Sequence, residues 1–164
     1  MTLDDIPAGV RLLIDANILI YARRGMSEQC RRLVELCARK EVSGVLTSIA
    51  LAEFCHRRMM QEAQSRGLTG SNPAKVLSQG AGLVRQLAQY RQEVEDLLAS
   101  GLLVLAIEEA DFVEALELQR LHGLLTNDSL HLAAGLRAGV NFLVTADSQF
   151  DTVPGISVFK PGDL

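Results

Sequence analysis

Twice in this chain an apolar run ends abruptly in an acid. Near the start, Leu12-Leu13-Ile14 runs straight into Asp15; near the end, Phe142-Leu143-Val144-Thr145-Ala146 runs into Asp147. A short apolar run bounded by turn or cap residues reads as a strand buried on both faces of a parallel sheet. In open sheets of that kind, ligands and chemistry gather at the carboxyl ends of the strands. Two acids delivered to that edge by two different strands imply one shared anionic site, and hard divalent cations bind such sites.

The rest of the chain alternates strand and helix. Val10–Ile14 is the first strand, followed by a short helix carrying Ile18, Leu19 and Tyr21. Ser27 reads as the cap of a helix through Leu33, Val34, Leu36 and Cys37, whose spacing is helical. Gly44–Thr47 is a second strand, with Ser48 as the cap of the helix that holds Glu53. Ser65–Pro73 concentrates turn residues and is the clearest loop. Helix resumes after Pro73 towards Leu98, with a break near Gly80-Ala81-Gly82. Leu102–Ala106 is a third strand, Ile107–His122 a helix, and Asn127–Ala138 a shorter helix stopped by Gly139. Asn141–Val144 and Ile156–Phe159 are the fourth and fifth strands, the last at a sheet edge. This order predicts a three-layer α/β/α sandwich with a mostly parallel sheet of about five strands, in one domain over residues 1–164.

Composition narrows the partners. With 164 residues and 48% hydrophobic content the chain can bury a core of its own. The net charge of -4 and pI of about 5.4 argue against a protein that coats nucleic acid, and leave room for local basic residues around an acidic centre. Cys30, Cys37 and Cys55 form no CxxC pair or zinc spacing, which fits reduced thiols in the cytoplasm. The acidic start, Met1-Thr2-Leu3-Asp4-Asp5, lacks the cationic opening of a signal peptide. No apolar run approaches the roughly 20 residues of a membrane span. The expectation is a cytoplasmic protein without a membrane partner.

Four acids stand out by context: Asp15, Glu53, Asp128 and Asp147. Glu53 follows the small and apolar run Ile49-Ala50-Leu51-Ala52, and Asp128 heads the helix Asn127-Asp128-Ser129-Leu130-His131. Taken singly, each has a bland explanation: Asp at a helix start is ordinary capping, and Glu on a helix is ordinary surface. Their combination is less bland. Several acids converging on one sheet edge repel one another unless cations neutralise them.

The four stretches around these acids carry a family resemblance. Leu13-Ile14-Asp15-Ala16-Asn17-Ile18-Leu19, Thr47-Ser48-Ile49-Ala50-Leu51-Ala52-Glu53, Leu125-Thr126-Asn127-Asp128-Ser129-Leu130-His131-Leu132-Ala133-Ala134 and Leu143-Val144-Thr145-Ala146-Asp147-Ser148-Gln149-Phe150 together resemble, in order and spacing, the PIN-domain family. They resemble in particular its VapC-type toxin ribonucleases. The resemblance implies a PIN-like parallel sheet flanked by helices and Mg²⁺- or Mn²⁺-dependent cleavage of an RNA substrate. It makes Asp15, Glu53, Asp128 and Asp147 the catalytic, metal-binding acids. Asn17 and Thr145 match supporting polar positions, and Asp151 is a further supporting acid. It also implies a homodimer and a small antitoxin partner. The apolar helix positions around Leu33–Leu36 and Phe54–Met60 are open to two uses, partner contact or core. Arg23, Arg24, Arg57 and Arg58 flank the acids in sequence and are the candidates for RNA phosphate contacts, whereas Arg85 and Arg91 read as solvated helix face.

Competing readings remain at this level. A stand-alone PIN-type RNA-processing nuclease would use the same acids without an antitoxin. Glu53-x-x-His56 and Asp128-x-x-His131 have the spacing of dinuclear carboxylate bundles, which need four long facing helices. A non-catalytic α/β binding module would use the acids only as helix caps. An Asp15 nucleophile of a phosphatase type is weakened by Asn17 and by the lack of a nearby Lys.

Overall fold

Successive residues of the first strand pack in opposite directions. In the computed structural model, which describes residues 1–164, Leu12 and Ile14 join one buried cluster and Leu13 joins another. The strands are β1 (Arg11–Ile14), β2 (Ser43–Thr47), β3 (Leu103–Leu105), β4 (Phe142–Val144) and β5 (Ser157–Phe159). Val45 and Leu143 share the side of Leu13, and Leu46 and Val144 that of Leu12. Continuous apolar runs are what a sheet covered on both faces requires. The five strands form one all-parallel sheet in the order β3-β2-β1-β4-β5. β5 lies at an edge, as its shortness suggested.

Helices α1 (Ala16–Arg23), α2 (Glu28–Ala38) and α3 (Ser48–Ser65) cover the Leu12 side through Ile18, Leu19, Leu33, Cys37 and Phe54. After α4 (Pro73–Gln79), α5 (Ala81–Arg85) and α6 (Gln89–Ala99), helices α7 (Glu109–His122) and α8 (Thr126–Arg137) cover the Leu13 side. This is the three-layer α/β/α arrangement. α8 presses close on β1: a Cβ added at Gly135 would sit 2.5 Å from Leu13 Cδ2. Only glycine lets the helix approach so near. That approach fixes the height of the head of α8 above the sheet edge.

Several sequence expectations are corrected. Thr47, not Ser48, caps α3, its hydroxyl accepting from Ala50 N at 3.3 Å. Ser48 Oγ accepts instead from Ile107 N at 3.2 Å, holding the exit of β3. The helical stretch after Pro73 breaks twice, at Gly80 and again over residues 86–88. Of the apolar positions left open to partner contact or core, Leu33 and Phe54 are core residues, and Val34 and Leu36 pack against that core while remaining partly exposed. The sheet excludes the four-helix bundle. No helix is long and apolar enough to cross a membrane.

The strand order positions the site. From β1 the chain moves through α1 and α2 to β2 on one flank, and only after α8 does it return to β4 on the other. The winding reverses between β1 and β4, and a crevice opens where it does. Asp15 follows the last residue of β1; Thr145, Ala146 and Asp147 follow β4.

Candidate active site

Asp15 occupies the cap position before α1, yet its side chain makes no cap bond to that helix. Its Oδ2 accepts from Asn17 Nδ2 at 2.7 Å and from Thr145 Oγ1 at 2.6 Å. Both bonds fall on one oxygen, which leaves Oδ1 without a protein donor. Thr145, fully buried, also accepts from Asp147 N at 3.0 Å, and Asn17 Oδ1 accepts from Ala146 N at 3.3 Å. Asn17 and Thr145 therefore lock the ends of β1 and β4 to each other and aim Asp15. The capping explanation fails for Asp15.

For Asp147 it holds in part. One carboxylate oxygen accepts from Gln149 N at 2.8 Å and caps the short helix Ser148–Thr152. Glu53, one and a half turns into α3, is half-buried and pairs with Arg57 at 3.0 Å. Asp128, in the first turn of α8, makes no cap bond. Burial, and then the charges of Asp15, Asp147 and Glu53, push its pKa up to about 6; Arg57 alone opposes them. The four acids thus share one electrostatic neighbourhood, although they come from four separate elements.

They also share one cleft. Asp15, Asn17, Glu53, Arg57, Asp128 and Asp147 line a hollow of about 450 Å³ whose rim is Leu125-Thr126-Asn127. Leu125 is its only hydrophobic residue. Small-molecule pockets are mostly apolar, so this lining suits a hydrated ion and a phosphodiester better. The three rim residues, the cap and first turn of α8, belong to the stretch around Asp128 singled out in the sequence, but their place at the rim was not visible there.

The remaining expected residues lie elsewhere. Asp151 is exposed and paired with Lys160 at 2.6 Å, outside the cleft lining. Arg23 is paired with Asp96 and Arg24 is exposed on a separate polar hollow. Arg58 is largely buried and forks onto Glu93, which occupies its guanidinium. Of the four arginines, Arg57 alone reaches the acids. His131, which the sequence offered only as half of an Asp128-x-x-His131 ligand pair, is instead buried, with its Nδ1 2.7 Å from buried Thr47 Oγ1. Burial pulls the His131 pKa down to about 4, against the charge of Asp15.

The donor set is oxygen only, with no thiol or imidazole in the lining, as hard cations prefer. No three acidic, Cys or His side chains close around a common point. The acids line a cleft and do not form a cage. Mg²⁺ takes one or two carboxylates and keeps several waters, so the residues fit such an ion and fit zinc poorly.

Comparison with known proteins bears on the fold and the family. No curated protein matches the chain. Among solved structures it is similar to VapBC2 from Rickettsia felis bound to a DNA fragment from their promoter, with a TM-score of 0.58 and 18% identity over 92% of this chain and 98% of that one. A toxin-antitoxin complex from Klebsiella pneumoniae matches with a TM-score of 0.58 and 17% identity over 91% and 95%. Mycobacterium tuberculosis VapC20, described as a sarcin-ricin loop cleaving toxin, matches with a TM-score of 0.54 and 13% identity over 87% and 93%. Identities this low speak for the fold alone. The family itself is shown by sequence: a model of the PIN domain matches residues 12–156, which span β1 through β4 and all four acids, and the chain belongs to the PIN domain family.

Proposed function

We propose that this protein is a Mg²⁺- or Mn²⁺-dependent endoribonuclease and the toxin of a type II toxin–antitoxin pair. The observation that carries the nuclease reading is the convergence of Asp15, Glu53, Asp128 and Asp147 on one cleft at the switch point of the sheet, where burial and then the other three acids raise the proton affinity of Asp128. Such a cluster is costly unless a cation joins it. The toxin reading draws its support from the toxin–antitoxin complexes among the structural neighbours.

In this reading Asp15, Asp128 and Asp147 would hold one or two ions, in part through the ions' waters, and Glu53 would bind an ion or take a proton from the attacking water. Asn17 and Thr145 keep Asp15 oriented, and Arg57 meets the RNA phosphate beside Glu53. A divalent ion held by these acids would supply Lewis-acid activation of the attacking water and charge neutralisation at the leaving oxygen. No Ser, Cys or His nucleophile takes part. The protein works in the cytoplasm as a homodimer, silenced by a small antitoxin.

The test incubates purified protein with a mixed set of structured RNAs in Mg²⁺, in Mn²⁺ and in EDTA, beside Asp147→Asn and Asp15→Ala. Cleavage is expected only with metal, and both variants should lose at least the roughly 10- to 100-fold typical of changes at a metal site. Cleavage in EDTA, or an Asp15→Ala variant as active as the wild type, overturns the assignment.

A further inference from the structure

One hydrogen-bond donor beneath the cleft has no use in the fold. His131 lies on α8 one turn past Asp128, 4% exposed, and its Nε2 is buried without a hydrogen-bond partner. Its other nitrogen, Nδ1, is 2.7 Å from Thr47 Oγ1 at the end of β2. The Thr47 hydroxyl already accepts from Ala50 N, and its single proton meets no acceptor other than Nδ1. Nδ1 therefore accepts, and in the neutral ring the proton sits on Nε2. The consequence is a buried N–H with nothing to bind, which native interiors rarely tolerate.

Its surroundings name the missing partner. Thr47 ends β2, the strand beside β1, and Asp15 follows the end of β1. The charge of Asp15 acts on the ring. Asp15 Oδ2 is taken by Asn17 and Thr145, while Oδ1 has no protein donor. An unpartnered buried donor on α8 and a carboxylate oxygen without a protein donor at the end of β1 thus lie in one neighbourhood, joined through Thr47 at the end of the adjacent strand.

We propose that His131 is a positioning residue of the carboxylate centre, its neutral ring donating Nε2–H to a bridging water that holds Asp15 Oδ1. With Asn17 and Thr145 on the other oxygen, the carboxylate is then held on both sides in the orientation that binds a cation. This rests on the metal-centre reading above. A merely structural His131 would pin α8 to β2 through Thr47 and need nothing at Nε2.

The two roles predict opposite rankings of two variants. His131→Asn keeps a polar group near the level of Nδ1, which serves Thr47, but nothing at Nε2. His131→Gln places its amide near Nε2 and loses the Thr47 contact. Calorimetric titration with Mn²⁺, without RNA, should show binding weakened about 10-fold in His131→Asn and in His131→Leu, and within about 3-fold of wild type in His131→Gln. In the metal-free protein, ring ¹⁵N shifts should report the Nε2–H tautomer. An Nδ1–H tautomer, or His131→Asn binding Mn²⁺ as tightly as wild type, overturns the inference while leaving the metal centre intact. A wild type that binds no Mn²⁺ overturns the metal-centre reading itself, and this inference with it.

Discussion

Asp128 concentrates the electrostatic tension of the site in one residue, and pH exposes it. Its pKa of about 6 stands above the ordinary carboxyl value of 3.8. Between those values the folded protein holds a proton that the unfolded chain has released, so this group's contribution to stability falls as pH rises from about 4 to about 6. His131 acts in the opposite sense over nearly the same window. Its pKa falls from 6.5 to about 4, so the unfolded chain binds the extra proton and stability rises with pH. The wild-type profile mixes the two. The difference between wild type and Asp128→Asn isolates the acid: in EDTA the variant should gain about 1–2 kcal/mol at pH 7.5, allowing for solvent screening of a half-exposed group, and nothing at pH 4. Urea denaturation across that range measures it. A variant no more stable at pH 7.5 than at pH 4, relative to wild type, would mean the acids do not share a field. At this scale the site was largely legible, because Asp15 and Asp147 follow apolar strands, Asp128 lies in the first turn of α8, and Glu53 follows a small and apolar run inside α3. What was not legible is how Asp15 differs from a cap: that depends on Thr145, at the far end of the chain in sequence and 2.6 Å away in space.

Among the elements, the strands were readable because each is an apolar run with a sharp polar end, and the long helices because their apolar spacing is helical. The corrections come where one element is finished by another. Residues 86–88 interrupt helix without a Gly or Pro, so no local signal marks the break. Its cause is Glu62 of α3, a residue 6% exposed whose carboxylate accepts from Ala88 N at 3.0 Å and Tyr90 N at 2.9 Å. It caps α6 from outside, in place of Ala88, which has no side chain able to do so. Burial works against the charge of Glu62, yet the backbone N–H groups of Tyr90, Ala88 and Gln89, with Arg66, outweigh it and hold the pKa below the usual carboxylate value. Glu62→Ala strands two backbone donors and should cost about 2–4 kcal/mol. The loss should be regional. Hydrogen exchange is expected to quicken in α4, α5 and the first turn of α6, which rest on the small cluster of Ala63, Leu77 and Leu87, while the end of α6, held in the main core by Leu97, and the amides of β1 and β4 stay protected relative to the new global stability. Uniform acceleration across the sheet would show that the α4–α6 segment is integral to the main fold and not an appendage clamped by one acid.

For the whole molecule, charge and topology pull against each other. A chain of net charge -4 gathers four acids into one cleft at the reversal of its sheet and offers a single arginine, Arg57, to offset them. The frame carries that load because β1 and β4 are central and buried on both faces, and because Asn17 and Thr145 tie their ends. If the cleft holds a divalent ion, binding to the folded state alone must stabilise the entire fold by linkage. At free Mn²⁺ of 100 times the dissociation constant the gain is about 2.7 kcal/mol, which for a chain of this length raises the melting temperature by roughly 5–10 °C. Asp147→Asn keeps a side-chain oxygen to cap Ser148–Thr152 but removes one charge of the cluster. It should therefore melt no lower than wild type in EDTA and show little or none of the Mn²⁺ shift. Scanning calorimetry with and without the ion separates the cases. A wild type indifferent to Mn²⁺ would return the four acids to structural roles, and an Asp147→Asn variant that shifts as far as wild type would remove Asp147 from the ion's ligands while leaving the other three in place.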